Sequence, residues 1–395
     1  MSTVKMAIVT IAYNRVDSLG RLLESLNKVD FEGDQIPLFI SIDYSGSNTV
    51  FEYSKSFNWN HGEKHIIQHE SNLGLKKHVL SCGDLVEDYD ALIVLEDDLV
   101  VSESMYSYAW RAVDMYKNDE NIEAISLYGK MWSETAYQPF APTLSVFDTY
   151  FIQTAESWGQ IWFKDKWKRF RKWYEDNSSC SFESPLIPRN VQEWDQKSWK
   201  KYHIKYCIEK NLYTVYPYQA LTTCMGDVGE HTKSNTFVSQ VPIIHGRKKE
   251  YTFAKFLDSN SVKYDAFLER VYYGDDEVCL DLYGWKKDFT KFKCVISSQI
   301  LDYKIIDSYG LALRPHEENV LRDIPGDDFF KYDLSQKVVN SRNQNRERLF
   351  EYYHFTDFRQ ATDQMTIKEI VKIIIFRLKK KYKKHLSRKE ERNAF

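Results

Sequence analysis

The sequence predicts an α/β fold with a mostly parallel central sheet flanked by helices, on three observations. Strand-like and helix-like patterns alternate from the first residues. Ala91 to Leu95 form a continuous, branched apolar run, as expected of a strand buried on both faces. That run ends abruptly at three adjacent acids, Glu96, Asp97 and Asp98.

The elements follow in order. Residues 4–11 read as the first strand, and Leu19, Leu22, Leu23 and Leu26 then fall at helical spacing. Residues 37–42 form a second strand ending at Asp43-Tyr44-Ser45-Gly46, a turn-forming group. A helix over 50–57, a weaker strand over 64–68, a loop carrying Asn72 and Gly74, and a helix over 75–86 lead into the central strand. Beyond it the pattern gives a helix over 102–117 with Ser102 as its cap, a strand over 122–127 and a long loop over 129–149. After residue 245 amphipathic segments (253–257, 267–273) and a strand-like run (294–300) are read as an α-rich extension to residue 365. The acid pair Asp275 and Asp276 there follows no central-type strand and is expected at the surface.

Composition narrows the classes. With 43% apolar and 15% aromatic residues, 395 residues can build a full core. A net charge of −3 argues against nucleic acid as a partner of the whole molecule. The six cysteines are scattered with no Cys-x-x-Cys pair, which fits a reducing compartment. The first strand begins too early to leave room for a signal peptide, and no stretch approaches the roughly 20 apolar residues needed to cross a bilayer. A cytoplasmic location is expected.

Three like charges in a row repel, and a buried strand cannot solvate them. A divalent cation would neutralise them, because Mn²⁺ and Mg²⁺ prefer carboxylate and phosphate oxygens. A solvated acidic turn is the plainer reading. No Gly-x-Gly-x-x-Gly or phosphate-loop lysine pattern follows the first strand, so a bound nucleotide's phosphates need a metal.

The segments VTIAYNR, ISIDYSG, ESNLGL and LIVLEDDL, in this order and spacing, resemble the donor half of GT-A fold (Rossmann-like) glycosyltransferases. The resemblance is to the bacterial family 2-type enzymes, with a local likeness to the N-acetylglucosaminyltransferase I family. It implies a catalytic domain over residues 1–245. Ala12, Tyr13, Asn14, Arg15, Asp43, Asn72 and Gly74 would hold the nucleotide sugar. Asp98 would bind Mn²⁺ or Mg²⁺, with Asp97 and Glu96 near the ribose and sugar. Taken singly, Asp43 is an ordinary turn residue and Tyr13 a packed aromatic.

The stretch TYFIQTAESWGQIWFKDKW resembles the segment beneath donor sugar and acceptor, which puts Glu156 and Trp158 at the pocket, while Trp162 and Trp167 read as core. The later EWDQKSW stretch resembles the Trp-Asp helix start that carries the general base, here Asp195 with Glu156 as second candidate. A helix cap is the other reading of Asp195. His231, in the loop 226–231, is placed at the metal or diphosphate, or else is a surface histidine.

The resemblance implies an inverting, metal-dependent transferase. It would move a sugar from a nucleotide-diphosphate donor, expected to be a UDP-sugar, to a glycan hydroxyl on a lipid-linked surface-polysaccharide precursor. The rivals are a sugar nucleotidyltransferase, which lacks support because IAYNRVDSL is not a Gly-rich, Arg-containing loop, and an inactive glycan-binding scaffold. Residues 366–395 carry 11 Lys or Arg against 3 Glu, a net +8, leaving −11 for the rest of a chain whose total is −3. Ile367, Ile370, Val371, Ile374 and Leu378 make a helical apolar stripe just before the lysine cluster. A basic amphipathic helix on the anionic inner face of the cell membrane is expected; packing on protein is the alternative.

Overall fold

The computed structural model describes residues 4–229, 236–271, 277–342, 348–349, 352, 362–363 and 365–393. Contacts divide the chain into two compact units, Met1–Arg342 and Asn343–Phe395.

The first unit opens with three strand–helix repeats: β1 (Met6–Ala12), α1 (Val16–Leu26), β2 (Leu38–Ile42), α2 (Thr49–Ser56), β3 (Lys64–Gln68) and α3 (Leu75–Asp84). β4 (Ala91–Glu96) follows, with Ala91 to Leu95 buried on both faces. Burying each of its large aliphatic side chains is worth about 1.5–3 kcal/mol, so the strand is fixed in register up to its last apolar residue. A two-residue turn, Asp97-Asp98, leads to the short β5 (Leu99–Val101). α4 (Met105–Tyr116) starts three residues later than Ser102. Ser104 is its N-cap, and the Ser102 hydroxyl instead accepts the Ser104 N–H and donates to the Ile244 carbonyl.

After β6 (Ile122–Ser126), the loop over the site holds a small hairpin of β7 (Trp132–Ser133) and β8 (Gln138–Pro139). Then come β9 (Thr149–Ile152), β10 (Gln160–Phe163), α5 (Lys164–Asn177), α6 (Arg189–Glu193), α7 (Trp199–Lys210), β11 (Tyr213–Pro217) and β12 (Thr222–Cys224). α7 ends on Asn211 in the left-handed conformation, the usual terminator where Gly is absent.

Among the described residues nine strands form one sheet, in the order β13-β9-β11-β6-β10-β4-β1-β2-β3, where β13 is Lys263–Tyr264. β3, β2, β1 and β4 are mutually parallel, as are β11 with β6 and β13 with β9. β10 runs antiparallel between β4 and β6, and β9 antiparallel to β11. The sheet is mixed and mainly parallel, with helices packed on both faces around two apolar clusters, which is the expected class. Trp162 and Trp167 stack at 4.1 Å in one of these clusters, as core residues. Gly83 is obligatory there, because a Cβ would lie 2.1 Å from the Trp167 ring. All six cysteines are free thiols.

The expectation of an α-rich extension is corrected. Residues after 245 contribute β13 to the large sheet and then a second, four-stranded sheet. Its strands are β14 (Val278–Asp281), β15 (Cys294–Ser297), β16 (Tyr303–Tyr309) and β17 (Phe329–Lys337), in the order β14-β15-β17-β16. Its only helix among the described residues up to Arg342 is the five-residue α8 (Glu317–Leu321). The reason is period-two patterning: Tyr303, Ile305, Phe330 and Tyr332 alternate with polar residues and cover Val295 and Cys279. Lys286 pairs with Asp265 at 2.5 Å, and Glu317 accepts hydrogen bonds from Tyr264 and Thr143, joining this sheet to the first. Asp275 and Asp276 lie outside the described residues. In the second unit, α9 (Ile367–Asn393) opens on a capping box in which Thr366 and Glu369 bond reciprocally.

Candidate functional site

The carboxyl ends of β1, β2, β3 and β4 converge, as they must where parallel strands share a sheet. Two groups of side chains meet there.

The first group is built on β1 to β3. Asp43, at the end of β2, is buried and accepts three backbone hydrogen bonds, from Tyr44 (2.9 Å), Leu73 (2.8 Å) and Gly74 (3.0 Å). Its own N–H bonds the Ala12 carbonyl. The Asn72 amide donates to the Tyr13 hydroxyl (3.3 Å) and the Tyr44 carbonyl (3.1 Å). Ala12, Tyr13, Asp43, Asn72 and Gly74 are thus brought together, while Asn14 is exposed beside them. The Asp43 carboxylate fixes the 72–74 loop, and Asn72 ties Tyr13 and Tyr44 together at the rim.

The second group surrounds the acidic turn. Arg15 reaches across from the end of β1. Its guanidinium pairs with Asp97 through Nη2 and, at 3.3 Å, through Nε, and with Asp98 Oδ2 at 3.2 Å. Burial raises Asp97 to about 6, with Arg15 opposing, so the group is ionised at neutral pH. Burial raises Asp98 as well, again against Arg15. Glu96 is pushed up to about 8, first by burial and then by the neighbouring Asp98 and Asp97 charges. Arg15 is held protonated by Asp97 and Asp98 in spite of its own burial.

The donor set fits a divalent cation. Asp98 Oδ1 is buried with no hydrogen-bond partner, and an unsatisfied carboxylate oxygen in a cluster of acids is the ligand a hard cation takes. Among the described residues no cluster of three or more His, Cys, Asp or Glu is arranged as a complete metal site. Remaining ligands would come from bound phosphate and water. His231 lies outside the described residues.

Two further parts of the chain close on this turn. The Met225 N–H bonds the Asp98 carbonyl at 2.8 Å. Asp227, two residues on, accepts from Ser18 at 2.7 Å and pairs with Arg21, and a Cβ on Gly229 would lie 3.1 Å from Arg15 Nη1. On the other side stands a buried ionic cluster. Glu156, fully buried in the turn before β10, lies 3.1 Å from Lys200 and 3.2 Å from Lys130, and Glu134 flanks both lysines at 3.6–3.9 Å. Lys200 also sits 5.6 Å from the Trp158 and Trp194 rings. The Glu96 charge helps raise Lys200, although burial opposes it.

This changes the standing of Glu156. Burial would raise its carboxyl, but Lys130 and Lys200 outweigh that and hold it at about 2. A carboxylate held so far down is a poor proton acceptor and a good anchor for two ammonium groups. Asp195 is exposed instead. Its Oδ1 accepts the Lys197 N–H at 2.8 Å and its carbonyl the Ser198 N–H, so it forms the turn before α7, whose N-cap is Ser198. No described contact joins Asp195 to the acidic turn.

Lys130, Lys200, Arg21 and Asp227 were not singled out from sequence. Lys200 stands in Trp-Lys-Lys-Tyr at the start of α7, a pattern that reads as a solvated helix start. A lone turn aspartate such as Asp227 carries no signal of its own.

No family model matches the chain, and no curated protein does. Solved structures do. The chain is similar to residues 1–349 of S. aureus TarS, at 15% identity and a TM-score of 0.36, over 55% of this chain and 59% of that one. A complex of that protein with UDP-GlcNAc gives a TM-score of 0.38. It is also similar to GalNAc-T7 with UDP, GalNAc and Mn²⁺ (14%, TM-score 0.38, over 55% of this chain and 43% of that one). The mannosyltransferase PcManGT from Pyrobaculum calidifontis, with GDP-Man and Mn²⁺, follows at 10% identity and 0.32, over 43% and 47% of the two chains. The chain spans about three-fifths of the length of the TarS 1–349 structures.

The ionic cluster generates a test. Glu156→Gln leaves two buried ammonium groups facing Glu134 alone, which is expected to cost about 3–5 kcal/mol. A carboxyl held below its ordinary 4.5 contributes stability that is full above that value and is lost as pH falls toward about 2. Urea unfolding should therefore show a large gap between wild type and Glu156→Gln at pH 7, narrowing below about pH 4.5. Equal stability at pH 7 would remove the cluster's structural role.

Proposed function

We propose that this chain is a metal-dependent, inverting GT-A glycosyltransferase acting on a nucleotide-diphosphate sugar, with a UDP-sugar the preferred donor. The observation that carries the reading is the acidic turn at the end of β4. It holds a buried Asp98 oxygen without a hydrogen-bond partner, while the other Asp98 oxygen and Asp97 are engaged by Arg15, two residues beyond Tyr13 of the Tyr13–Asn72 rim.

Asp98 would hold Mn²⁺ or Mg²⁺, with Asp97 and Glu96 beside it, and the cation when bound stabilises negative charge on the departing diphosphate. The chain's own residues do the rest. Ala12, Tyr13, Asn14, Asp43, Asn72 and Gly74 form the nucleotide side, Arg15 the phosphate side, and Trp158 with Lys200 the sugar side. Asp195 is assigned as the general base: it is exposed and has one carboxylate oxygen engaged by a backbone N–H, which leaves the other to take the acceptor hydroxyl's proton. The acceptor is a glycan hydroxyl.

The acceptor's lipid link and the peripheral, inner-face location rest on α9. Of the apolar stripe Ile367, Val371, Ile374 and Leu378 are exposed, at 81, 46, 53 and 61%, and Ile370 is half-buried. The basic cluster follows this stripe directly, and each basic residue near an anionic surface adds about 1 kcal/mol. No helix among the described residues is long and apolar enough to cross a membrane. The domain plan in this reading is a catalytic domain to about residue 245, an extension to 365 and the basic helix.

The deciding experiment is a nucleotide-sugar hydrolysis screen with Mn²⁺ across a donor panel. For the donor it identifies, Asp98→Asn should abolish Mn²⁺-dependent nucleotide binding in calorimetry while the protein stays folded; unchanged affinity would discard Asp98 as the ligand. Asp195→Asn should keep donor affinity and lose turnover about 10²–10⁴-fold. Turnover near the wild-type rate would move the base elsewhere. A chain ending at Asp363 should stay folded and bind nucleotide, yet fail to co-sediment with anionic liposomes at low salt. Equal sedimentation of the two forms counts against the membrane helix.

A further inference from the structure

The arrangement of Arg15 goes beyond a phosphate contact. Its guanidinium spans the acidic turn, touching both oxygens of Asp97 and the Oδ2 of Asp98. Only Asp98 Oδ1 is left over. A guanidinium is permanently charged and forks across two acceptors, so it offsets one of the two negative charges at any working pH. A divalent cation on Asp98 would stand within a few ångströms of that charge and would compete for the same lone pairs.

We propose that Arg15 is a stand-in counter-ion. It occupies Asp97 and Asp98 in the absence of a divalent cation, opposes metal binding on its own, and is handed over to the donor diphosphate when nucleotide and metal bind together. The inference rests on the metal-dependent reading above. The charges close on both sides of the exchange: the two acids trade one positive charge for a divalent ion that matches their own two negative charges, and the guanidinium trades two carboxylates for phosphate oxygens that suit the same fork geometry. Position favours the exchange. Arg15 is the N-cap of α1, two residues beyond Tyr13 of the Tyr13–Asn72 rim, and carries a long side chain. The move would also be felt by the loop above. Gly229 lies so close that a Cβ would sit 3.1 Å from Arg15 Nη1, and Asp227 ties that loop to Ser18 and Arg21 of α1. Metal and nucleotide then bind with strong mutual dependence, because neither alone both satisfies the acids and rehouses the guanidinium.

The test is calorimetric titration of the full chain with MnCl₂ alone, and with UDP in the presence of Mn²⁺. In Arg15→Gln, Mn²⁺ alone should bind at least about tenfold tighter than in wild type, whereas UDP with Mn²⁺ should bind about tenfold or more weaker. These opposite signs are what a purely structural arginine would not give. Arg15→Lys keeps the charge without the fork and should fall between the two for both ligands, so the comparison survives if Arg15→Gln is poorly folded. The Mn²⁺-induced rise in Tm should likewise be larger for Arg15→Gln than for wild type. Mn²⁺ affinity unchanged or weakened in both variants would overturn the inference while leaving the metal-dependent reading intact. A wild-type chain that binds Mn²⁺ neither alone nor with UDP would overturn both.

Discussion

The site depends on one electrostatic constraint, the placement of three consecutive carboxyls at the end of a strand whose apolar residues are all buried. β4 is packed on both faces and flanked by β1 and β10, so it offers these groups no water along its length. The turn to β5 brings them to the sheet's rim, where Asp97 is buried and Glu96 and Asp98 are only partly exposed. Everything nearby is arranged to answer that charge. Arg15 comes from the β1–α1 junction and Lys200 from the start of α7, and burial with the neighbouring acids pushes the Glu96 carboxyl upward. Such an arrangement is costly for stability, since a buried ion pair seldom recovers the full desolvation of its members. A site kept at that cost is best understood as one that binds charge.

The buried Lys130–Glu156–Lys200 group obeys the same logic at one remove. Its two ammonium groups offset one fully buried carboxylate and a half-buried one, and they stiffen the wall formed by Trp158 and the turn before β10. Trp194, stacked against the same ammonium, carries the wall on to the Asp195 turn. Lys201 pins that turn from inside by donating to the Gln192 and Trp194 carbonyls. Adjacent lysines on one helix thus serve two faces, one toward the acids and one toward the turn that precedes the helix.

Much of the fold was legible in the sequence. The strands at 4–11, 37–42, 64–68, 91–95 and 122–127 fall within two residues of those observed, because each is a short apolar run bounded by turn residues. Ala12, Tyr13, Asp43, Asn72 and Gly74 come together because parallel strands deliver their carboxyl ends to one rim. The antiparallel insertion of β10 between β4 and β6 was not legible. Its apolar run fits a parallel strand equally well, and only packing selects its direction. The second sheet was legible only in part: the run at 294–300 contains β15, whereas β16 and the far half of β17 are exposed along one side, which leaves too few apolar residues to mark them as strands. Buried lysines were invisible for a simpler reason: nothing in a lysine's neighbours along the chain tells which carboxylates it will meet in space.

One edge of the large sheet has a consequence for how the chain can be divided. β9 would be an outer strand were it not for Lys263–Tyr264, a two-residue segment that pairs with Phe151 and Ile152 from well beyond the part of the chain that builds the rest of the sheet. Phe151, Ile152 and Tyr264 are all buried. A fragment stopping near residue 245 would leave this apolar strand with open backbone donors and acceptors, a template for pairing with another copy. The later residues are therefore a selvedge as well as an appendage: they finish the woven edge, and a fragment cut short of them would tend to self-associate whatever its catalytic competence.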